Sequence, residues 1–299
     1  MKLTNKRLDG AENGIMSDRS AEGSRVQIAI ASGKGGTGKT TLAVALAQSF
    51  DRPVTLLDCD VEEPNASLFL TLENQMEKSV FVPIPEVDAS RCTGCGKCAE
   101  LCEFNALAVA GRSVLVFSEL CHSCGGCARI CPEHAITEQP RSIGTIRKGQ
   151  SGTIQLIEGR LNIGCAMAPP VIRAVKKEAA SAPLVLIDCP PGTSCPMVTS
   201  ITGADFVILV TEPTPFGLHD LTLAVETVRL LNLPFGVVIN RADAGDDRVV
   251  RYCREQNIRL LLKIPELRKI AELYSRGKSM LTAMPELKQP LNNLLEILR

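Results

Sequence analysis

Two groups of residues in this sequence are spaced for chemistry. In the first, Gly33-Lys34-Gly35-Gly36-Thr37-Gly38-Lys39-Thr40 satisfies G-x-x-x-x-G-K-[ST] and runs on into Thr41. Glycines in such a loop let successive backbone N–H groups turn inward on phosphate oxygens, and a helix opening at its end adds a positive dipole. Lys39 would place an ammonium on the β- and γ-phosphates, and the Thr40 hydroxyl would ligate Mg²⁺. In the second group, Cys92, Cys95, Cys98 and Cys102 read C-x2-C-x2-C-x3-C, and Cys121, Cys124, Cys127 and Cys131 repeat that spacing with Pro132 behind it. Thiols this close together wrap one side of a metal centre, so ligation is the chemistry the two runs point to.

The repeated run is the spacing of a bacterial-type two-cluster ferredoxin. Three close thiolates hold three corners of one cube, and the fourth cysteine reaches the other cube. By that rule Cys92, Cys95, Cys98 and Cys131 hold one [4Fe–4S] cluster, and Cys121, Cys124, Cys127 and Cys102 hold the second. Glu103 stands where the first run would carry proline, which alters the turn and not the ligand set. Zinc sites built from C-x2-C pairs fit these runs poorly. His122 and His134 lie in the same block with no ligand gap to fill, and read as solvated or structural.

These groups need a frame. Val26–Ser32 is a short apolar strand feeding the glycine loop, and 41–50 is helix-forming. Val54–Asp58 is a second apolar run and delivers Asp58-Cys59-Asp60; Leu184–Asp188, Phe206–Val210, Phe235–Asn240 and Ile258–Ile264 follow, separated by helical stretches. Unbroken apolar runs of this length suit strands buried on both faces of a parallel sheet. The expected fold class is therefore α/β, a doubly wound and mostly parallel sheet, with a small α+β ferredoxin-like domain inserted. Ligands in such sheets sit at the carboxyl ends of the strands. Asp60, Asp188 with Gly192, Asn240, and Pro265-Glu266 all fall there.

Composition shifts near Phe81 and again near Pro140. The expected domains are 25–80 with 141–299 for the nucleotide-binding unit and 81–140 for the insert. Residues 1–24 read as a disordered tail, with Met16 a candidate initiator. The glycine-punctuated stretch 141–164 reads as the connection back, followed by a helix from Cys165 to about Ala180. Near the end, Leu291, Leu294, Leu295 and Leu298 share one helical face with few basic residues, which favours core or dimer packing over lipid.

The 299 residues carry a formal charge of zero, 3% aromatics and no Trp, so no basic field or stacking surface points to nucleic acid. No apolar run approaches the ~20 residues of a membrane span, and the start lacks a signal-peptide core. The expected location is the cytoplasm, where thirteen cysteines are better explained by ligation than by disulfides. Cys59, Cys189 and Cys253 read as small apolar fillers.

The glycine loop also holds a second lysine, Lys34. The pattern K-G-G-T-G-K-T resembles the deviant P-loop of the MinD/ParA ATPase superfamily, which includes nitrogenase iron protein and the Mrp-type iron–sulfur carriers. The resemblance implies ATP and Mg²⁺, and a homodimer or a heterodimer with a related ATPase, across which Lys34 reaches the partner's nucleotide. It implies that Asp60 orients the attacking water, that Asp188 holds Mg²⁺ together with Thr40, and that the Gly192 N–H meets the γ-phosphate. Asn240 would read the purine, with Pro265-Glu266 closing its other side; adenine and guanine both stay open on the residues alone. Cys165 and Cys195 are placed like the two cysteines by which the iron protein shares one [4Fe–4S] between subunits. A third, bridging cluster and inert packing thiols both stand, since Pro169-Pro170 and Pro190-Pro191 have no counterpart.

The expected function is an ATP-hydrolysing iron–sulfur protein, a nucleotide-switched dimer coupling ATP to electron transfer through two [4Fe–4S] clusters toward a redox partner. One alternative is a carrier or scaffold that delivers clusters to an accepting protein. Another is a spatial organiser of the MinD/ParA kind with the ferredoxin as redox sensor. Binding to nucleic acid or membrane is not expected.

Overall fold

The computed structural model describes residues 25–179 and 181–298; the expected tail, with Met16, lies outside them. Strands β1 (Val26–Ala31), β2 (Val54–Asp58), β3 (Glu73–Val87), β4 (Leu107–Ala110), β5 (Ser113–Val116), β6 (Ile136–Ser151), β7 (Ile154–Leu161), β8 (Leu184–Asp188), β9 (Phe206–Thr211), β10 (Phe235–Ile239) and β11 (Leu260–Lys263) build the sheets. Helices α1 (Lys39–Ser49), α2 (Lys97–Leu101), α3 (Gly126–Ile130), α4 (Ala168–Glu178), α5 (Cys195–Ile201), α6 (Pro215–Leu230), α7 (Arg248–Glu255), α8 (Arg268–Tyr274) and α9 (Lys288–Leu298) lie between and after them.

Nine strands form one sheet in the order β11-β10-β9-β1-β8-β2-β7-β6-β3. Neighbours from β11 through β7 are parallel, and β6 and β3 add antiparallel at one edge. Every residue of β2 and β8 is buried, which is why both read as unbroken apolar runs. Alternation along β1 splits the core in two: Ala29 and Ala31 face the layer of α4 to α7, while Ile28 and Ile30 face α1 and α9.

The α9 face is a core face. Leu291, Leu294, Leu295 and Leu298 are all buried in the cluster that includes Leu42 and Leu46 of α1. Truncating Leu295, which has no exposed surface, to alanine is expected to cost about 2–5 kcal/mol in urea unfolding. A loss below about 1 kcal/mol would mean the helix is not docked as described. Among the described residues no helix is long and apolar enough to cross a membrane.

The stretch expected to be a connection, 141–164, is instead most of β6 and all of β7. Its glycines and charges hid it, because β6 is only partly buried near the sheet edge. β3 was equally hidden by Pro83 and Pro85, which a central strand would not tolerate; β3 is the edge strand, where a missing N–H costs no ladder bond. The pairing of β3 with β6 continues past 81 and 140, from Glu73↔Gln150 in the sheet to Val87↔Ile136 beside the cysteines, with two register shifts on the way. The cysteine block thus rides on a two-stranded ribbon continuous with the main sheet. The helix expected from Cys165 begins at Ala168, with Pro169 and Pro170 in its first turn, where their missing donors are harmless.

Candidate functional site

β1 runs into the glycine loop, and α1 begins at Lys39. Gly38 sits at φ +92°, and a Cβ there would come within 2.5 Å of Asn240 Nδ2. At Gly33 a Cβ would meet the Asp220 carbonyl at 2.0 Å, so both glycines let other backbone or side chains close on the loop. At Gly35 and Gly36 nothing lies within 4 Å of an added Cβ; that open side is the cradle a phosphate would fill. It faces a cleft of about 1410 Å³ that also meets Lys39, Thr40, Thr41, Asp60, Asn240, Pro265 and Glu266. The expected P-loop and purine-side residues are therefore gathered in one place.

Lys39 is 6% exposed. Two buried carboxylates stand at the ends of adjacent strands, Asp58 of β2 in register with Asp188 of β8. They differ in how they are held. Asp58 accepts backbone N–H from Asp60, Asn65 and Ala66. Neither oxygen of Asp188 has a hydrogen-bond partner. Burial pushes both carboxyls above the usual carboxylate range, with the nearby Thr40 hydroxyl and Lys39 pulling Asp188 back. A fully buried carboxylate without a partner asks for a cation; beside the Thr40 hydroxyl, it fits Mg²⁺. Burial likewise lifts Asp60 to about 6, against the pull of Lys39.

Three expected contacts look different in place. Lys34 Nζ lies 3.2 Å from Glu212 Oε2, and Arg241 Nη1 holds the other oxygen of Glu212 at 2.7 Å. Lys34 is thus parked within its own chain. Asn240 Nδ2 donates one N–H to the Thr37 carbonyl at 2.9 Å, which leaves the second N–H and Oδ1 for a base. The Gly192 N–H already donates to the Ser32 carbonyl at 3.1 Å, so contact with a γ-phosphate requires its release. Glu212 and Asp58 were missed as site residues, although both end or follow a strand at the ligand-facing side, the same signal that marked Asp188.

In the cysteine block, α2 and α3 each follow a glycine in the left-handed region, Gly96 at φ +82° and Gly125 at φ +70°. Cys92, Cys95, Cys98 and Cys131 line one small cavity. Cys102, Cys121, Cys124 and Cys127 line another, which Cys98 also borders. None of the eight is in a disulfide. Backbone N–H groups of Ala106, Ser123 and Ala135 point at the sulfurs of Cys102, Cys121 and Cys131, at 3.3, 3.4 and 3.3 Å. Such bonds favour thiolate and tune a bound cluster. Among the described residues no three His, Cys, Asp or Glu converge tightly enough for a single metal ion; thiolates on the corners of a cube stand farther apart. Each cavity is bordered by at least four of the cysteines, the number of thiolates one cube needs. His122 stacks on Phe104 with centroids 3.7 Å apart.

Outside the block, Cys59 and Cys189 are wholly buried, and burial pushes both thiols up. Cys165 is half-buried ahead of α4, and Cys195 is exposed at the start of α5.

Residues 28–280 match the family described as the CobQ/CobB/MinD/ParA nucleotide binding domain. The chain is 31% identical over 259 residues to the uncharacterized protein MJ0579 of Methanocaldococcus jannaschii, spanning 85% of this chain and 91% of the relative. It is 35% identical over 221 residues to MJ0578 of the same organism, spanning 72% and 78%. Its fold is similar to that of the septum site-determining protein MinD complexed with Mg-ADP from Pyrococcus horikoshii, with a TM-score of 0.56 and 22% identity over 91% of this chain and 95% of that one. It is also similar to apo McdA of Cyanothece, with a TM-score of 0.55 and 19% identity over 92% and 100%.

Proposed function

The chain belongs to the CobQ/CobB/MinD/ParA nucleotide-binding family, and on that premise we propose that it is a MinD/ParA-like ATPase whose cysteine block carries two [4Fe–4S] clusters. The nucleotide half is supported by the open cradle at Gly35 and Gly36, the buried Lys39 and the unpartnered Asp188. Lys39 would bind the phosphates, and Thr40 and Asp188 would hold Mg²⁺. Asp60 would hold the attacking water. The cluster half is carried by one observation, the gathering of the block cysteines around two cavities, Cys92, Cys95 and Cys131 at one, Cys102, Cys121, Cys124 and Cys127 at the other, and Cys98 at both. Clusters there would supply one-electron transfer; the chain's part is to hold them with thiolates and tune them with the three N–H donors. Coupling of the two halves would make the protein an ATP-gated electron carrier.

The decisive measurement is iron and acid-labile sulfide on anaerobically purified protein. About eight irons per chain supports the reading, and two or fewer overturns its cluster half. A cluster shared through Cys165 and Cys195 would add about two irons per chain, lost on Cys165→Ser.

Likeness to MinD and McdA favours a second reading, a spatial organiser in which the cysteine block senses redox state. It predicts nucleotide-dependent attachment to vesicles or DNA; attachment unaffected by cluster reduction would leave that reading without its sensor. Either way Lys34 is the residue expected to act in a dimer. Glu212→Gln, which frees it, is expected to tighten self-association with a non-hydrolysable ATP analogue about three- to tenfold, a modest effect because Lys34 is partly exposed. Sedimentation velocity would show this, and an unchanged dimer affinity would rule out the parked lysine as a brake.

A further inference from the structure

Arg147 sits where the loop facing the nucleotide cleft meets the ribbon that carries the cysteines. It lies on β6, opposite Glu77 of β3 on one side and Glu158 of β7 on the other. Its Nη2 donates to Ser67 Oγ at 2.8 Å and to Glu158 Oε1 at 2.7 Å. Ser67 directly follows Ala66, whose N–H, with that of Asn65, is held by Asp58 Oδ2 at 2.9 Å. The same Asp58 takes the Asp60 N–H through its other oxygen. Glu158 is 2% exposed and is the register partner of Asp58. One guanidinium therefore clasps the far end of a loop whose near end, Asp60, faces the cleft.

The clasp is incomplete. Arg147 Nε and Glu158 Oε2 are buried without hydrogen-bond partners. A buried ion pair with unmet atoms adds little net stability, and its best-attested use is to select one arrangement over another. The stretch it grips is bounded by two irregularities, since the pairing of β3 with β6 shifts register between Glu73 and Met76 and again between Val80 and Phe81. Such shifts bend a strand and re-aim what lies beyond it. Beyond Phe81 lies the cysteine block.

We propose that Arg147 is a positioning residue that transmits the state of the loop from Asp60 to Phe69 into the β3–β6 ribbon, and so into the cysteine block. A nucleotide that draws Asp60 toward its γ-phosphate shifts Ser67, and Arg147 carries that shift to β6. The proposal rests on the nucleotide reading of the cleft and does not require the clusters. By linkage, whatever repositions the ribbon alters nucleotide affinity by the same factor.

The test is amide hydrogen exchange on the whole protein, with and without Mg²⁺ and a non-hydrolysable ATP analogue, for the native chain, Arg147→Met, Arg147→Lys and Ser67→Ala. In the native chain the analogue is expected to change exchange in 141–148 about threefold or more, alongside protection of the P-loop. In Arg147→Met and Ser67→Ala the change should stop at 60–69, with analogue affinity within about threefold of native. Arg147→Lys keeps the charge beside Glu158 and loses the fork that reaches both partners, so it should behave as a partial variant. A structural arginine would alter stability and leave the nucleotide response of the ribbon intact; that result overturns the proposal. So does a native ribbon that ignores an analogue which binds and protects the P-loop, while the nucleotide reading survives. Failure of the analogue to bind at all removes both. Iron content measured on the same samples reports separately on the clusters.

Discussion

Lys39→Ala is expected to lower steady-state ATP hydrolysis by about 10²–10³-fold, the usual cost of one preorganised charge aimed at a developing anion. Phosphoryl transfer leaves a protein little covalent work, so position and charge carry the rate. Lys39 supplies both. It is 6% exposed at the start of α1, on the lip of the cradle, and its charge reaches Asp60 and Asp188. Alanine would leave the buried Asp188 and the half-buried Asp60 with less to offset them, so the comparison needs Lys39→Arg, which keeps the charge, and a circular dichroism check of the fold. The expected pattern is intact fold in both, residual turnover in the arginine form and near-background phosphate release in the alanine form. Turnover within about threefold of native in Lys39→Ala would place the phosphate chemistry somewhere other than this loop.

The second large effect concerns which cysteines share a cube. Crossed ligation puts Cys92 and Cys131 on one cluster and Cys102 on the other. The double variant Cys92→Ala/Cys131→Ala should then keep about four irons per chain, because both losses strike one cube. Cys92→Ala/Cys102→Ala should fall toward zero, because each loss strikes a different one. Ligation run by run predicts the reverse. The structure favours the crossed pattern, since Cys131 lines the cavity of Cys92, Cys95 and Cys98, while Cys102 lines that of Cys121, Cys124 and Cys127. Iron, labile sulfide and the visible charge-transfer absorption of the anaerobic protein would decide it. Native protein with no iron would refute both patterns together.

Much of this molecule was legible before it was folded, for a physical reason. The P-loop and the cysteine runs are local patterns, set by the types and spacing of a few neighbouring residues. The parallel strands β1, β2 and β8 to β10 were legible too, because burial on both faces forces a continuous apolar run; β11, at the edge and only half-buried, was legible from its leucines. β7, flanked by two strands and still missed, interleaves Gln155, Glu158, Gly159 and Arg160 with its four apolar residues. β3 and β6 escaped because an edge ribbon need not be apolar or free of proline.

Contacts that join distant parts of the chain belong to the tertiary structure alone. Asn240 spends one of its two amide N–H groups on Thr37, 203 residues away in sequence, a contact not readable from its place at a strand end. Lys34 is recognisable as a lysine in a deviant loop, yet only the packing of β9 beside β1 brings Glu212 to hold it. Arg147 has no motif, and its meaning comes from β6 lying between Glu77 and Glu158 while Ser67 folds over it. Residue type and short-range spacing settle what chemistry a group can perform. Which partner each group meets is settled by strand order and register, because those set which side chains share a buried, low-dielectric space where one charge must answer another.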